Sequence, residues 1–190
     1  MTASLAYRRN EAAILAGNPP EKYTRILPHI PGERVLEIGS AEGVLACMMA
    51  GQGKVVIAVE ANAERHASAI ALARKWDERG VMFVNAKIGA CLDLLDGMDT
   101  VVAVRSIYYL RDQIDTVFAA IAAKVPNVVL CGNAGRARRY HEGRPDHPLG
   151  KFNFYASAEG MRAVLERHGY EIVAEVLEGD AIVVGRRQIG

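Results

Sequence analysis

The chain is short of cysteine, of net charge and of long apolar runs, and each shortage excludes something. Its three cysteines, Cys47, Cys91 and Cys131, are odd in number, far apart and embedded in apolar segments. That is the pattern of reduced core thiols in a cytosolic protein, not of a disulfide framework. No CxxC or HxxxH spacing occurs, which removes the common structural zinc sites, and no metal is expected. Lys and Arg number 23 against 22 Asp and Glu, so a strongly basic nucleic-acid surface is excluded and only a local patch remains open. Met1 to Gly17 is interrupted by Arg8, Arg9 and Glu11, and so reads as neither a signal peptide nor a membrane span. The expectation is a cytoplasmic protein with no membrane partner. There is no GxxxxGK[ST], no internal repeat and no low-complexity tract.

What is present is ordinary globular material: 51% hydrophobic and 24% charged residues, in 190 residues, enough for one compact α/β domain. Ser4–Ala16 and Glu21–His29 read as two short helices, punctuated by Pro19-Pro20 and Pro31-Gly32. Apolar strands and helix-compatible runs then alternate. Strands are expected at Arg34–Ile38, Lys54–Glu60, Val81–Val84, Thr100–Arg105 and Asn127–Cys131. Helices are expected at Gly43–Ala50, Ala63–Arg79, Asp112–Val125 and Ser157–His168, with a helical turn at Ala90–Leu95. Trp76 follows Ile70, Leu72 and Ala73 at helical spacing and reads as core packing. Alternation of this kind requires parallel pairing in a doubly wound sheet. The last two strands, Tyr170–Leu177 and Ala181–Arg186, are joined only by Glu178-Gly179-Asp180 and must form an antiparallel edge. Gly132–Ala156 reads as one long irregular loop, and such loops tend to be functional.

The first strand runs into Glu37-Ile38-Gly39-Ser40-Ala41-Glu42-Gly43 and then a helix. Glycines at 39 and 43 let the backbone turn sharply, and the following helix offers unpaired N–H groups to an anion. The second strand ends at Glu60, about twenty residues past Gly39, where a carboxylate can accept hydrogen bonds from ribose hydroxyls. Alone, Glu60 would be a solvated strand-end charge; in register with strand, turn, helix and strand it points to a nucleotide cofactor. The dinucleotide pattern needs glycine at the third and sixth positions of the turn, where this chain has Ala41 and Val44, so the fit to NAD is poor.

These residues resemble the class I S-adenosylmethionine-dependent methyltransferases. The family's first motif, an acidic residue and then G-x-G-x-G, stands here as Glu37 to Gly43 with Ala41 in place of the middle glycine. Asn85-Ala86 after the third strand, Asp99 to Leu110 around the fourth, and Phe154-Tyr155-Ala156-Ser157 before the last helix follow in the family's order. The resemblance covers about residues 30 to 186. It implies a Rossmann-like three-layer sandwich with a mostly parallel seven-stranded sheet and an antiparallel C-terminal hairpin. It also implies one methyltransferase domain over 1–190, with N-terminal helices in 1–30 and a substrate loop at 132–156.

The resemblance implies S-adenosyl-L-methionine as cofactor. Glu37 would lie under its amino group, and Gly39, Ser40, Ala41 and Gly43 along its methionine end. Glu60 and Ala61 would meet the ribose, Asn85 and Ala86 the adenine, and Arg105 and Ser106 the region where the fourth strand opens into the site. Methyl transfer then needs in-line alignment of an O, N or C nucleophile, and an oxygen nucleophile usually needs a base. Candidate catalytic residues are His141 and His147, because histidine titrates near neutrality, together with Arg105 and Tyr108. Arg105 either pairs an acidic acceptor or bridges to the helix after Leu110. Tyr108-Tyr109 either frame the methyl or form one buried and one surface ring. The 132–156 loop carries Arg136, Arg138, Arg139, Arg144 and Lys151 against Glu142 and Asp146, which suits an anionic acceptor or is a solvated surface.

The favoured function is methyl transfer to a small-molecule or sugar-derived acceptor, at oxygen more than nitrogen. The chain lacks a separate substrate domain, so the acceptor is modest in size or shared with a partner subunit, for which a homodimer is one candidate. RNA methylation is the second reading, disfavoured by the neutral charge balance because phosphate contacts dominate nucleic-acid affinity. A non-catalytic cofactor-binding module is the third.

Overall fold

The computed structural model describes residues 5–143 and 150–188. Among these residues a single sheet holds seven strands in the order β3-β2-β1-β4-β5-β7-β6. The strands are β1 Arg34–Ile38, β2 Val55–Val59, β3 Val81–Val84, β4 Thr100–Val104, β5 Asn127–Cys131, β6 Glu171–Val176 and β7 Ile182–Arg186. The first five pair in parallel; β7 pairs antiparallel with both β5 and β6. The expected architecture is therefore observed, hairpin included.

Period-2 alternation divides the sheet's side chains between two cores. Leu36, Ile38, Val101, Ala103, Val128 and Leu130 face α5 (Ile114–Lys124) and α7 (Ala158–Arg167). Val35, Ala58, Val102, Val104, Val129 and Cys131 face α3 (Val44–Gly51) together with Ile26 of α2 (Glu21–Ile26). Glu37 shares the second face with Val35, and so lies on the α2 and α3 side of the sheet. A third cluster joins Tyr7 and Ile14 of α1 (Leu5–Leu15) to α3 and to Leu72 and Ala73 of α4 (Ala63–Lys75), with Trp76 packed against it. The N-terminal helices are thereby tied onto the domain.

Two expectations about local structure need correction. The helix expected over Ala63–Arg79 stops at Lys75, because Asp77 takes a left-handed φ of 50° just past the Trp76 cap. The stretch expected to be irregular from Gly132 to Ala156 contains α6, Ala134–His141, and a 3-10 segment at Gly150–Ala156. The Asn133 side chain caps α6 by accepting from the Arg136 N–H at 3.1 Å. Residues 144–149 lie outside the described residues.

Candidate active site

The carboxyl ends of β1, β2 and β4 meet at one crevice, where the strand order reverses around β1. The 37–43 segment makes its turn with three left-handed residues: Gly39 at φ 73°, Ala41 at 50° and Gly43 at 75°. Gly43 caps α3, and a Cβ there would stand 2.8 Å from both Ala69 Cβ and Phe83 Cε1. A Cβ on Gly39 would stand 2.6 Å from Ser106 Cβ. Only glycine lets β1 and β4 approach this closely, and the Ser106 hydroxyl seals the approach by donating to the Ile38 carbonyl at 2.6 Å. The N–H groups of Gly39 and Ser40 both donate to the Val59 carbonyl, which locks the turn onto β2.

Glu60 follows β2 directly. Its Oε2 accepts from the Ala41 N–H at 2.9 Å and its Oε1 from the Asn62 N–H at 2.8 Å. These two bonds fix the carboxylate plane and leave one lone pair on each oxygen, enough for two vicinal hydroxyls. Asn85, after β3, donates its amide to the Glu60 carbonyl at 2.8 Å. Ala61 is exposed on the rim beyond Glu60, and Ala86 is half-buried beside Asn85.

Glu37 is 2% exposed, and its Oε2 has no hydrogen-bond partner among the described residues; neither does the buried Ser40 hydroxyl. Burial pushes the Glu37 carboxyl up to about 8, against the opposing pull of Lys22. An unsatisfied carboxyl oxygen buried near the end of β1 is costly unless a ligand completes it. A cationic ammonium is the group that would do so, and in this respect the residues present fit the cofactor expected from the sequence.

Above this floor lies a cleft of about 580 Å³. Ala41, Glu42 and Arg65 line its β1 end; Arg105, Ala134 and Asp180 line its other end; α1 and α2 roof it through Tyr7, Ile14 and Lys22. Arg105 leaves β4 with φ 54°, and its guanidinium pairs with Asp180 in the β6–β7 turn. Asp180 also accepts from the Ala134 N–H at 2.9 Å. One carboxylate thus clamps the end of β4, the start of α6 and the hairpin turn. Neither partner considered for Arg105 from sequence, an acidic acceptor or the helix after Leu110, is the one it has.

The other candidates fall elsewhere. Tyr108 is buried at 2% exposure and Tyr109 is 57% exposed, so the pair is one core ring and one surface ring. The Arg136 guanidinium lies 4.9 Å from the Tyr108 ring centre and donates to the Tyr109 hydroxyl at 2.9 Å. The basic segment is therefore partly spent on aromatic contacts. His141 is exposed at the end of α6 with its ring against Tyr140, away from the cleft lining. His147 lies outside the described residues. Among the described residues there is no cluster of His, Cys, Asp and Glu that could hold a metal ion, and no helix long and apolar enough to cross a membrane. Sequence reasoning passed over Lys22 and Asp180. Lys22 and Arg25 stand three apart on a helix and so share a face, a signal that was available; the role of Asp180 depends on partners 46 and 75 residues away.

A family model described as a methyltransferase domain matches residues 6–175. No curated protein sequence matches significantly. Among solved structures, magnesium protoporphyrin IX methyltransferase (ChlM) from Synechocystis PCC 6803 with bound SAH aligns at a TM-score of 0.68 and 13% identity, covering 99% of this chain and 90% of that one. The N-terminal domain of EvdMO1 with SAH bound aligns at 0.63 and 18%, covering 90% and 82%; that domain was also crystallised in the presence of SAH and D-fucose. WbdD, described as a bifunctional kinase-methyltransferase, aligns at 0.62 and 15%, covering 96% of this chain but 40% of that one. At these identities the structural likeness is one of fold.

Proposed function

This chain belongs to the class I S-adenosylmethionine-dependent methyltransferases, and from that premise we propose that it methylates a small, sugar-derived acceptor, at oxygen rather than nitrogen. In this reading residues 1–190 form one catalytic domain, with the helices of 1–30 as the roof of the cleft and 132–156 beside the acceptor. The observation that carries the cofactor assignment is the pairing of two carboxylates at adjacent strand ends. Glu60 is held rigid by two backbone N–H groups, and Glu37 is buried with an oxygen left over.

Bound there, S-adenosylmethionine would supply a methyl group already activated by a sulfonium. The residues of the chain then have three tasks. Glu60, with Ala61, would accept the ribose hydroxyls, and Asn85 with Ala86 would border the base. Glu37 would receive the amino group, with Gly39, Ser40, Ala41 and Gly43 giving the backbone room along the methionine end. Arg105 and Ser106 hold the end of β4 against β1 and the hairpin, fixing the wall beside which an acceptor must align. A sugar-type acceptor is favoured by the modest cleft and by the presence of SAH and D-fucose with one structural neighbour. The oxygen preference follows, because the nucleophiles of such an acceptor are hydroxyls.

The test is calorimetry of S-adenosylmethionine, S-adenosylhomocysteine, NADH and ATP against the purified chain. Binding of the first two alone is expected. Tighter binding of NADH or ATP overturns the assignment. Product analysis with a panel of hydroxylated and amino sugars then separates oxygen from nitrogen transfer.

A further inference from the structure

Among the described residues, Lys22, Arg25, Arg65 and Arg105 line the cleft against Glu21, Glu42 and Asp180. Lys22 and Arg25 lie on the same face of α2, and both line the cleft. Among the described residues neither forms an ion pair with a carboxylate: Arg25 donates only to the Glu178 carbonyl, at 2.6 Å. Gly179 makes room for it, since a Cβ there would stand 3.1 Å from Arg25 Nη1. The acids acting on Lys22 are Asp180 and Glu37. Asp180 is already bonded to Arg105 and to the start of α6. Glu37 would be taken by the cofactor's amino group. Burial and then the neighbouring Arg105 lower the Lys22 ammonium's pKa, and Asp180 and Glu37 oppose them only in part.

We propose that Lys22 and Arg25 form an anion seat over the ends of β4, β5 and the β6–β7 turn, binding a carboxylate or phosphate on the methyl acceptor. The inference rests on the methyltransferase reading and adds to it the charge of the acceptor and the residues that select it. It moves the anion contact from the arginines of 132–156 to the roof helix. Position assigns the seat to the acceptor. Glu60 and Asn85 would anchor the nucleotide over β2 and β3, whereas Cys131 at the end of β5 and Asp180 before β7 act on Lys22 more strongly than Glu37 does.

The experiment titrates the full chain, saturated with S-adenosylhomocysteine, with inorganic phosphate, glucuronate and, as neutral control, glucose. Phosphate and glucuronate should bind at least tenfold more tightly than glucose. Lys22→Met and Arg25→Met should each weaken them about tenfold, the scale of one charge-assisted contact. Lys22→Arg should restore binding, and affinity for S-adenosylhomocysteine should stay within twofold throughout. Anions that bind no better than glucose, or equally well to the Met variants, overturn the seat. So does a Lys22→Met variant that loses S-adenosylmethionine but keeps its decarboxylated analogue, which would put the cations on the cofactor's carboxylate. If the native chain binds no S-adenosylhomocysteine, the methyltransferase reading fails instead. Phosphate titration of the free chain then judges the seat alone: weakening by Lys22→Met supports it, and no change overturns it.

Discussion

Replacing Glu37 by Gln should stabilise the protein at pH 8 while damaging its function. In the unfolded chain this carboxyl ionises at its ordinary value of 4.5; in the folded chain burial holds it near 8. Between those limits the folded state keeps a proton that the unfolded state gives up, so stability is fully present below about pH 4.5 and falls as pH rises toward 8. Each pH unit in that window corresponds to about 1.4 kcal/mol, which makes the loss on the order of 4 kcal/mol by pH 8. An amide has nothing to ionise. Allowing for its own unpaired donors, Glu37→Gln should gain about 2–3 kcal/mol at pH 8, or roughly 4–12 °C in Tm for a chain of this size. The assay is thermal unfolding of both proteins by circular dichroism from pH 4.5 to 8, read as the difference between them so that other titrating groups cancel. The variant should be about 1–2 kcal/mol less stable at pH 4.5, where only the amide's unpaired donors count, and the difference should swing steadily in its favour to pH 8. Affinity for S-adenosylmethionine should fall at least tenfold, because the carboxylate that would pair the ammonium is gone. A pH-independent difference, or a variant less stable at pH 8, refutes the burial argument; undiminished cofactor affinity removes Glu37 from the amino group.

Two further substitutions probe the crevice. Glu60→Ala removes the acceptor of the Ala41 and Asn62 N–H groups along with the lone pairs left for hydroxyls; calorimetry should show at least a tenfold loss of S-adenosylhomocysteine affinity, and unchanged affinity would take Glu60 off the ribose. Gly43→Ala places a Cβ 2.8 Å from Ala69 and Phe83 at a φ of 75°. It should lower stability by about 2–4 kcal/mol in urea unfolding, from strain and overpacking together, and a change within 0.5 kcal/mol would show that α3 and α4 shift apart freely.

Much of the fold was legible because its signals are local. β1, β3 and β5 were bounded residue for residue, at Arg34–Ile38, Val81–Val84 and Asn127–Cys131, since short apolar runs flanked by polar or turn residues define themselves. The hairpin could be placed antiparallel because three residues cannot make a parallel crossover. α6 was missed although Asn133 followed by alanines and arginines is a cap and helix formers. Its long polar composition reads as loop, and part of what holds it, the Asp180 carboxylate on Ala134 N–H, comes from 46 residues away. α4 ends at Lys75 although its helix-forming sequence continues to Arg79, because Asp77 turns left-handed.

The same division holds at the site. Sequence alone determined the strand–turn–helix of 37–43, the acidic residue closing β2 and the order of elements, because a glycine pattern and a strand period are properties of neighbouring residues. Tertiary structure alone decided that Arg105 belongs to Asp180, that Glu37 is buried with an oxygen to spare, that His141 stands outside the cleft, and that Lys22 and Arg25 hang over it. Charge pairing and desolvation depend on which distant segments fold together, and no local pattern encodes that.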